Sequence, residues 1–194
     1  MKKLIFTSFA IIALIAACVP SVNPFYTDKD VVTDARFAGA WTENEDKDSP
    51  AVWKFEATTN NAYAVSVMED KDKSGKFEGH LFKLGAEFFL DLTPTECNYA
   101  TNQAGIVGVA MIPGHLLVRV KFAEKKLSLA LCDPDWLKKL LEKNPSAVVH
   151  RVVDGSIILT AETAALQKFV LKHLGEDELF GKGTDYKRQA DVAK

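Results

Sequence analysis

From Phe37 onward, apolar residues tend to recur at every second position, in short runs separated by turn residues. Gly39-Ala40-Trp41-Thr42 opens the series. Residues 51–56 then place Trp53 and Phe55 on one face, with Val52, Lys54 and Glu56 on the other. Tyr63, Val65 and Val67 share a face over residues 62–68, and the polar run 70–75 leads to a further strand over 77–84. Gly85-Ala86 has the glycine-first order of a two-residue type II′ hairpin loop. After it Phe88, Leu90 and Leu92 alternate with Glu87, Phe89 and Asp91. Residues 93–103 read as a polar loop and 106–112 as a strand interrupted by Pro113-Gly114. Leu116, Val118, Val120 and Phe122 then oppose Arg119 and Lys121, and Leu127, Leu129 and Leu131 line one side of the next strand.

The period then changes. Asp133 is a natural N-cap, Pro134 suits the first helical position, and Trp136, Leu137, Leu140 and Leu141 form one stripe that Asn144-Pro145 ends. Asp154-Gly155 between residues 148–153 and 156–160 is a type I′ hairpin signal. A second helix is expected over 161–174, with Leu166, Phe169, Val170 and His173 on one face and Gly175 as its C-cap. The pattern predicts a mainly β domain: an antiparallel up-and-down barrel of about nine short strands with two added helices.

The chain ahead of this domain has a different pattern. Lys2 and Lys3 precede an apolar run from Leu4 to Leu14, and Ile15-Ala16-Ala17 leave small residues before Cys18. That is the layout of a signal peptide, short for a spanning helix. Ile15-Ala16-Ala17-Cys18 also resembles the lipobox of bacterial lipoproteins. The resemblance implies cleavage before Cys18 and acylation of its sulfur and its new amino group, with the membrane as partner through those chains. Val19, rather than Asp, after the cysteine implies by the same resemblance the outer membrane where a cell has two. The expected organisation is a signal peptide over 1–17, a lipidated tether over 18–36, one barrel domain over 37–181 and a polar tail over 182–194.

Composition adds exclusions. The 194-residue chain is 47% hydrophobic and 26% charged, an ordinary globular balance, with a formal charge of −2. Loss of Lys2 and Lys3 shifts it further negative, and no basic cluster suits a nucleic acid or anionic lipid. With Cys18 acylated, Cys97 and Cys132 remain as an even pair in an oxidising compartment, either bridged or as two separate buried thiols.

Gly39-Ala40-Trp41 resembles the Gly-x-Trp that opens the first strand of lipocalins and related calycin barrels. Asn23-Pro24-Phe25-Tyr26, Pro113-Gly114-His115 and Leu166-Gln167-Lys168-Phe169 resemble a group of bacterial lipoproteins, a likeness that implies no activity.

Local chemistry is sparse. Asp70-x-Asp72-x-Ser74-Gly75 matches the first half of a calcium loop, but its twelfth position is Leu81, where a bidentate Glu is needed. His80, His115, His150 and His173 have no metal-ligand spacing, no nucleophile motif is present, and no cofactor is implied. Glu78, Glu87 and Asp91 read as solvent-face carboxylates. The candidate ligand-lining residues are Trp53, Tyr63 and Phe88, with His115 at a barrel mouth. The expected function is an envelope binding module for an apolar small molecule or lipid. A solid barrel acting through its surface and an enzyme without a motif are the alternatives.

Overall fold

The structure, a computed structural model, describes residues 18–43, 50–70, 73–96, 114–123 and 126–189. The barrel wall is built from β2 (Gly39–Thr42), β3 (Val52–Ala57), β4 (Tyr63–Asp70), β5 (Lys73–Leu84), β6 (Glu87–Glu96), β7 (His115–Ala123), β8 (Lys126–Leu131) and β11 (Thr184–Arg188). Each strand pairs antiparallel with the next. β6 pairs with β7, and β11 pairs with both β8 and β2, so an eight-stranded wall closes on itself. Outside it, β1 (Pro20–Ser21) bridges β7 to a hairpin of β9 (His150–Val153) and β10 (Ser156–Leu159). Helix α1 spans Pro134–Lys143 and α2 spans Thr163–His173.

The turns follow the local chemistry. Gly85 has φ 61°, while Asp154 and Gly155 have φ 49° and 81°, the two positive values a type I′ turn requires. Asp133 accepts the Trp136 N–H at 2.8 Å and caps α1. Gly175 does not adopt the left-handed cap expected of it: α2 ends at Leu174 in αR geometry, and the Glu176 N–H returns to the His173 carbonyl.

Alternation divides the apolar residues into two cores. The inner one fills the barrel with Trp41, Phe55, Tyr63, Val65, Leu81, Leu90, Leu92, Val118, Val120, Leu127 and Leu129, against which Trp53, Phe77, Phe88 and Leu116 pack. Phe37, fully buried, plugs one end, with its ring against Phe55, Tyr63 and Phe122. At that end Tyr63 Oη accepts the Asp34 N–H at 3.0 Å and donates to the Asp34 carbonyl at 3.2 Å. The outer core lies between the wall's other face (Phe82, Leu84, Phe89, Leu117) and the helices, the β9–β10 hairpin and the N-terminal segment.

Two expected boundaries are corrected. Residues 18–36 are not a tether, because Val19, Ser21 and Phe25 are buried and Pro20–Ser21 is a strand of the sheet. The tail over 182–194 contains the eighth stave: Thr184–Arg188 pairs on both sides, with only Tyr186 buried. A strand needs two paired edges to belong to a closed wall, not many apolar side chains. The half-calcium loop is also removed. Asp70 pairs with Lys73 and Met68 with Ser74, so Ser74 and Gly75 are ladder residues. The strand expected at 106–112 and the residues Cys97 and Pro113 lie outside the described residues.

Gly-x-Trp acquires a physical reading. Gly39 has φ 127°, and a Cβ there would stand 2.5 Å from an Arg188 guanidinium nitrogen. That guanidinium donates to the Ala38 and Arg36 carbonyls at 2.8 and 2.6 Å and lies 4.7 Å from the Trp41 ring centroid. Glycine is the residue that leaves room for this cation where β2 meets β11.

Candidate functional site

The strongest polar constellation is on the outside of the wall. Asp91 on β6 points away from the barrel interior, yet it is fully buried beneath the N-terminal segment. Its Oδ2 accepts the Phe25 N–H at 2.8 Å, and its Oδ1 lies 2.7 Å from His115 Nδ1. Thr93 Oγ1 lies 3.1 Å from the same nitrogen. A carboxylate can only accept, so the short contact places the His115 proton on Nδ1. Tyr26 stacks on His80 with ring centroids 4.5 Å apart, and its phenol is pushed up to about 12 by burial first and then by the charges of Asp91, Glu78 and Asp28.

A carboxylate-oriented imidazole is one half of a general-base arrangement. The other half is not assembled among the described residues. Thr93 Oγ1 meets the protonated Nδ1, Ser21, opposite His115 in register, has its Oγ accepting the Asn23 N–H at 3.3 Å, and no hydroxyl there bonds Nε2. What the cluster does is clamp. Asp91 holds Phe25, Thr163 Oγ1 donates to the Pro24 carbonyl at 2.8 Å, and Gln167 donates to the Phe25 carbonyl at 3.0 Å and to Asp30 at 2.8 Å.

The end of the barrel away from Phe37 has a pocket of about 280 Å³, bordered by Trp53, Val118, Leu129, Leu131, Thr184 and Tyr186. A larger groove of about 520 Å³ runs over α1 between Asp133, Asp135, Lys139, Lys143 and Glu176 and is open and charged. The four candidate ligand-lining residues are therefore not brought together. Trp53 borders this pocket; Tyr63 borders a separate one of about 280 Å³ with Val65, Lys76, Phe77 and Glu78; Phe88 packs edge-on to Phe122 at 5.3 Å; His115 stands outside the wall.

A second imidazole–carboxylate pair ties α2 to the turn after it. His173 Nδ1 is 2.6 Å from Glu176 Oε1, and Trp136 Nε1 donates to Glu176 Oε2 at 3.1 Å. The His173 hydrogen bond holds the Glu176 carboxyl below its ordinary range. The cysteines are unlike each other. Cys18 is exposed, whereas Cys132 is a free thiol buried in the outer core, pushed up to about 12 by burial, with Asp133 and Cys18 adding to the effect. Cys132 sits in the outer core with Val19, Trp136 and Leu137, while Cys97, the other half of the expected pair, lies outside the described residues. No group of metal-ligating side chains occurs among the described residues, and no helix there is long and apolar enough to cross a membrane.

Sequence reasoning missed Asp91, Thr93, Ser21 and Arg188. Asp91 was legible as outward-facing, since Leu90 and Leu92 point in. Nothing local says that the outside of this wall is covered. The fold is a closed eight-stranded antiparallel barrel with added strands and two helices, consistent with a lipocalin-like barrel. Comparison with protein-family models, with curated proteins and with solved structures found no match.

Proposed function

We propose that this is a lipid-anchored protein of the bacterial cell envelope whose solid barrel acts through its surface, as a non-enzymatic interaction module. The observation that carries the second half is the filled interior: large side chains occupy the inward positions and Phe37 plugs one end. An eight-stranded barrel can be filled by its own side chains or hold one small ligand, and the large inward side chains here support the first of these. The first half rests on Ile15-Ala16-Ala17-Cys18 and on the exposure of Cys18 where the fold begins. Acyl chains contribute about 0.8 kcal/mol per buried methylene, and two or more hold a protein stably on a bilayer. Val19 after the cysteine favours the periplasmic face of the outer membrane in a cell with two membranes.

The test is metabolic labelling with palmitate in a bacterial host, followed by membrane fractionation. Wild type is expected to be labelled and to sediment with membranes; Cys18→Ser is expected to lose both properties. Equal labelling of that variant overturns the anchor.

A second reading, binding of a small apolar molecule, is favoured by the pocket beside Trp53 and Tyr186. Titration with an environment-sensitive apolar probe separates the two. The interaction reading expects no saturable binding; saturable binding that Leu131→Trp abolishes would put the small molecule in its place.

A further inference from the structure

The anchor residue and two strongly exposed valines, Val152 and Val153, lie at the same end of the β1–β10–β9 flap, while exposed Val149 stands at its other end. This inference rests on acylation of Cys18. No free chain separates that residue from the fold: Val19 is 4% exposed, Pro20 pairs with Leu116, and Ser21 is 1% exposed. Acyl chains on Cys18 therefore bring the folded surface itself to the lipid headgroups, without a spacer.

The register says which surface. β1 runs parallel to β10, with Ser21 beside Leu159. Followed backwards from Ser21 to Pro20, β1 runs toward the Ser156 end of β10, and Cys18 lies two residues beyond it, on the side of the flap that carries the Asp154-Gly155 turn.

What the hairpin presents there is apolar. Val152 is 62% exposed and Val153 is 50% exposed, and being adjacent in a strand they project from its two faces. Val152 pairs with Ile157, which packs on the outer core, but Val152 overhangs that core. A Cβ placed on Gly155 would meet nothing within 4 Å, so the turn itself projects into open space. In water two such valines are a liability; between headgroups both lose their water contact. Exposed Arg151 can lay its stem along them and keep its guanidinium among lipid phosphates, while the Asp154 carboxylate limits insertion to the interface.

We propose that the tip of the β9–β10 hairpin is a membrane-contact element: Val152 and Val153 enter the lipid interface beside acylated Cys18 and hold the domain in one orientation. β4, across the barrel from β8, then faces away from the bilayer and presents Met68, 54% exposed, to the compartment.

A photo-crosslinking amino acid at position 153 tests this, with the same substitution at position 68 as control. The full chain is made in cells whose phospholipids carry ³²P and is irradiated in isolated membranes. Palmitate labelling of each sample reports the anchor separately. The expected result is a phospholipid adduct about tenfold stronger at position 153 than at position 68, as for an interfacial element against a water-facing one. Equal adducts at both positions, or a position-153 adduct with protein or with a second copy of the chain, overturn the membrane contact while the palmitate signal leaves the anchor standing. Loss of the palmitate signal itself removes anchor and contact together. Val152→Asp/Val153→Asp supplies a second measurement: trypsin cleavage after Arg151 in membranes should quicken several-fold relative to wild type, and unchanged cleavage counts against the proposal.

Discussion

The two faces of one barrel wall support cores of different character. The inner core is almost purely apolar; its polar tips, Tyr63 Oη and Trp41 Nε1, bond to the backbone of Asp34 and Phe37. The outer core holds Ser21, Asp91 and His173, the buried polar side chains among the described residues. It also borders the two buried side-chain nitrogens without a partner, Arg119 Nε and His173 Nε2. The difference follows from assembly. Inside, neighbouring strands of a meander meet in a register that alternation already fixes. Outside, the N-terminal segment, two helices and a hairpin from distant parts of the chain must find one position on a continuous apolar surface. Directional bonds such as Asp91 to Phe25 supply the specificity that packing alone lacks.

Native tryptophans make the comparison measurable, since Trp41 and Trp53 report the inner core and Trp136 the outer. The largest effect is expected from Phe37→Ala. Truncating a fully buried phenylalanine removes about 3–5 kcal/mol, and urea unfolding should show Trp41 and Trp53 losing their signal at a lower midpoint. Leu137→Ala, also fully buried, should remove about 2–4 kcal/mol from the outer core. If the cores form one cooperative unit, the Trp136 transition and the inner transition stay coincident in both variants. Separation in Leu137→Ala alone would show that the outer layer can detach from an intact barrel.

Asp91→Ala sharpens the contrast at smaller size. It leaves the Phe25 N–H without its acceptor and His115 with Thr93 alone, a loss of about 1–3 kcal/mol. Amide exchange should quicken over residues 20–32 while β3 and β4 keep their protection; uniform quickening would deny the clamp its local role. The smallest effect is at Glu176, whose side chain is 46% exposed, so that solvent screens the pair. Its folded carboxyl titrates below its ordinary 4.5, chiefly through the His173 hydrogen bond. The contribution is therefore present above pH 4.5 and is lost as pH falls through the folded value. Wild type and Glu176→Gln should differ slightly at neutral pH and converge in acid. A difference that grew on acidification would reverse the assigned sign.

Much of the inner core is legible in the sequence because period-two alternation encodes it directly: Trp53, Phe55, Tyr63, Val65, Leu90, Val118 and Leu127 all face in as their spacing says. The outer core is legible only in part. Leu166, Phe169, Val170 and His173 announce a buried helix face, but Phe25 and Val19 lie in a segment with no period. Asp91 looks like any outward carboxylate until its cover is known. The closing stave, Thr184–Arg188, carries one buried apolar side chain, so its place is set by the two strand edges it satisfies rather than by its composition. The candidate site was legible as single residues, His115 and Trp53 among them, but not as a grouping, since which residues meet depends on those distant covers.

That stave also sets a timetable. The seam between β2 and β11 joins Trp41 and Thr42 to Arg188 and Lys187, nearly the full length of the domain apart, through two register pairs. A chain made amino end first presents β2 well before β11. Throughout that interval β2 and β8 are open edges on a half-built sheet, the state most exposed to wrong pairing. Long-range closure of this kind slows folding, and this seam cannot form until residues 184–188 have been made. A protein with this order of strands depends on what shields its open edges while it is being made, and loss of residues 184–188 would leave the barrel unclosed.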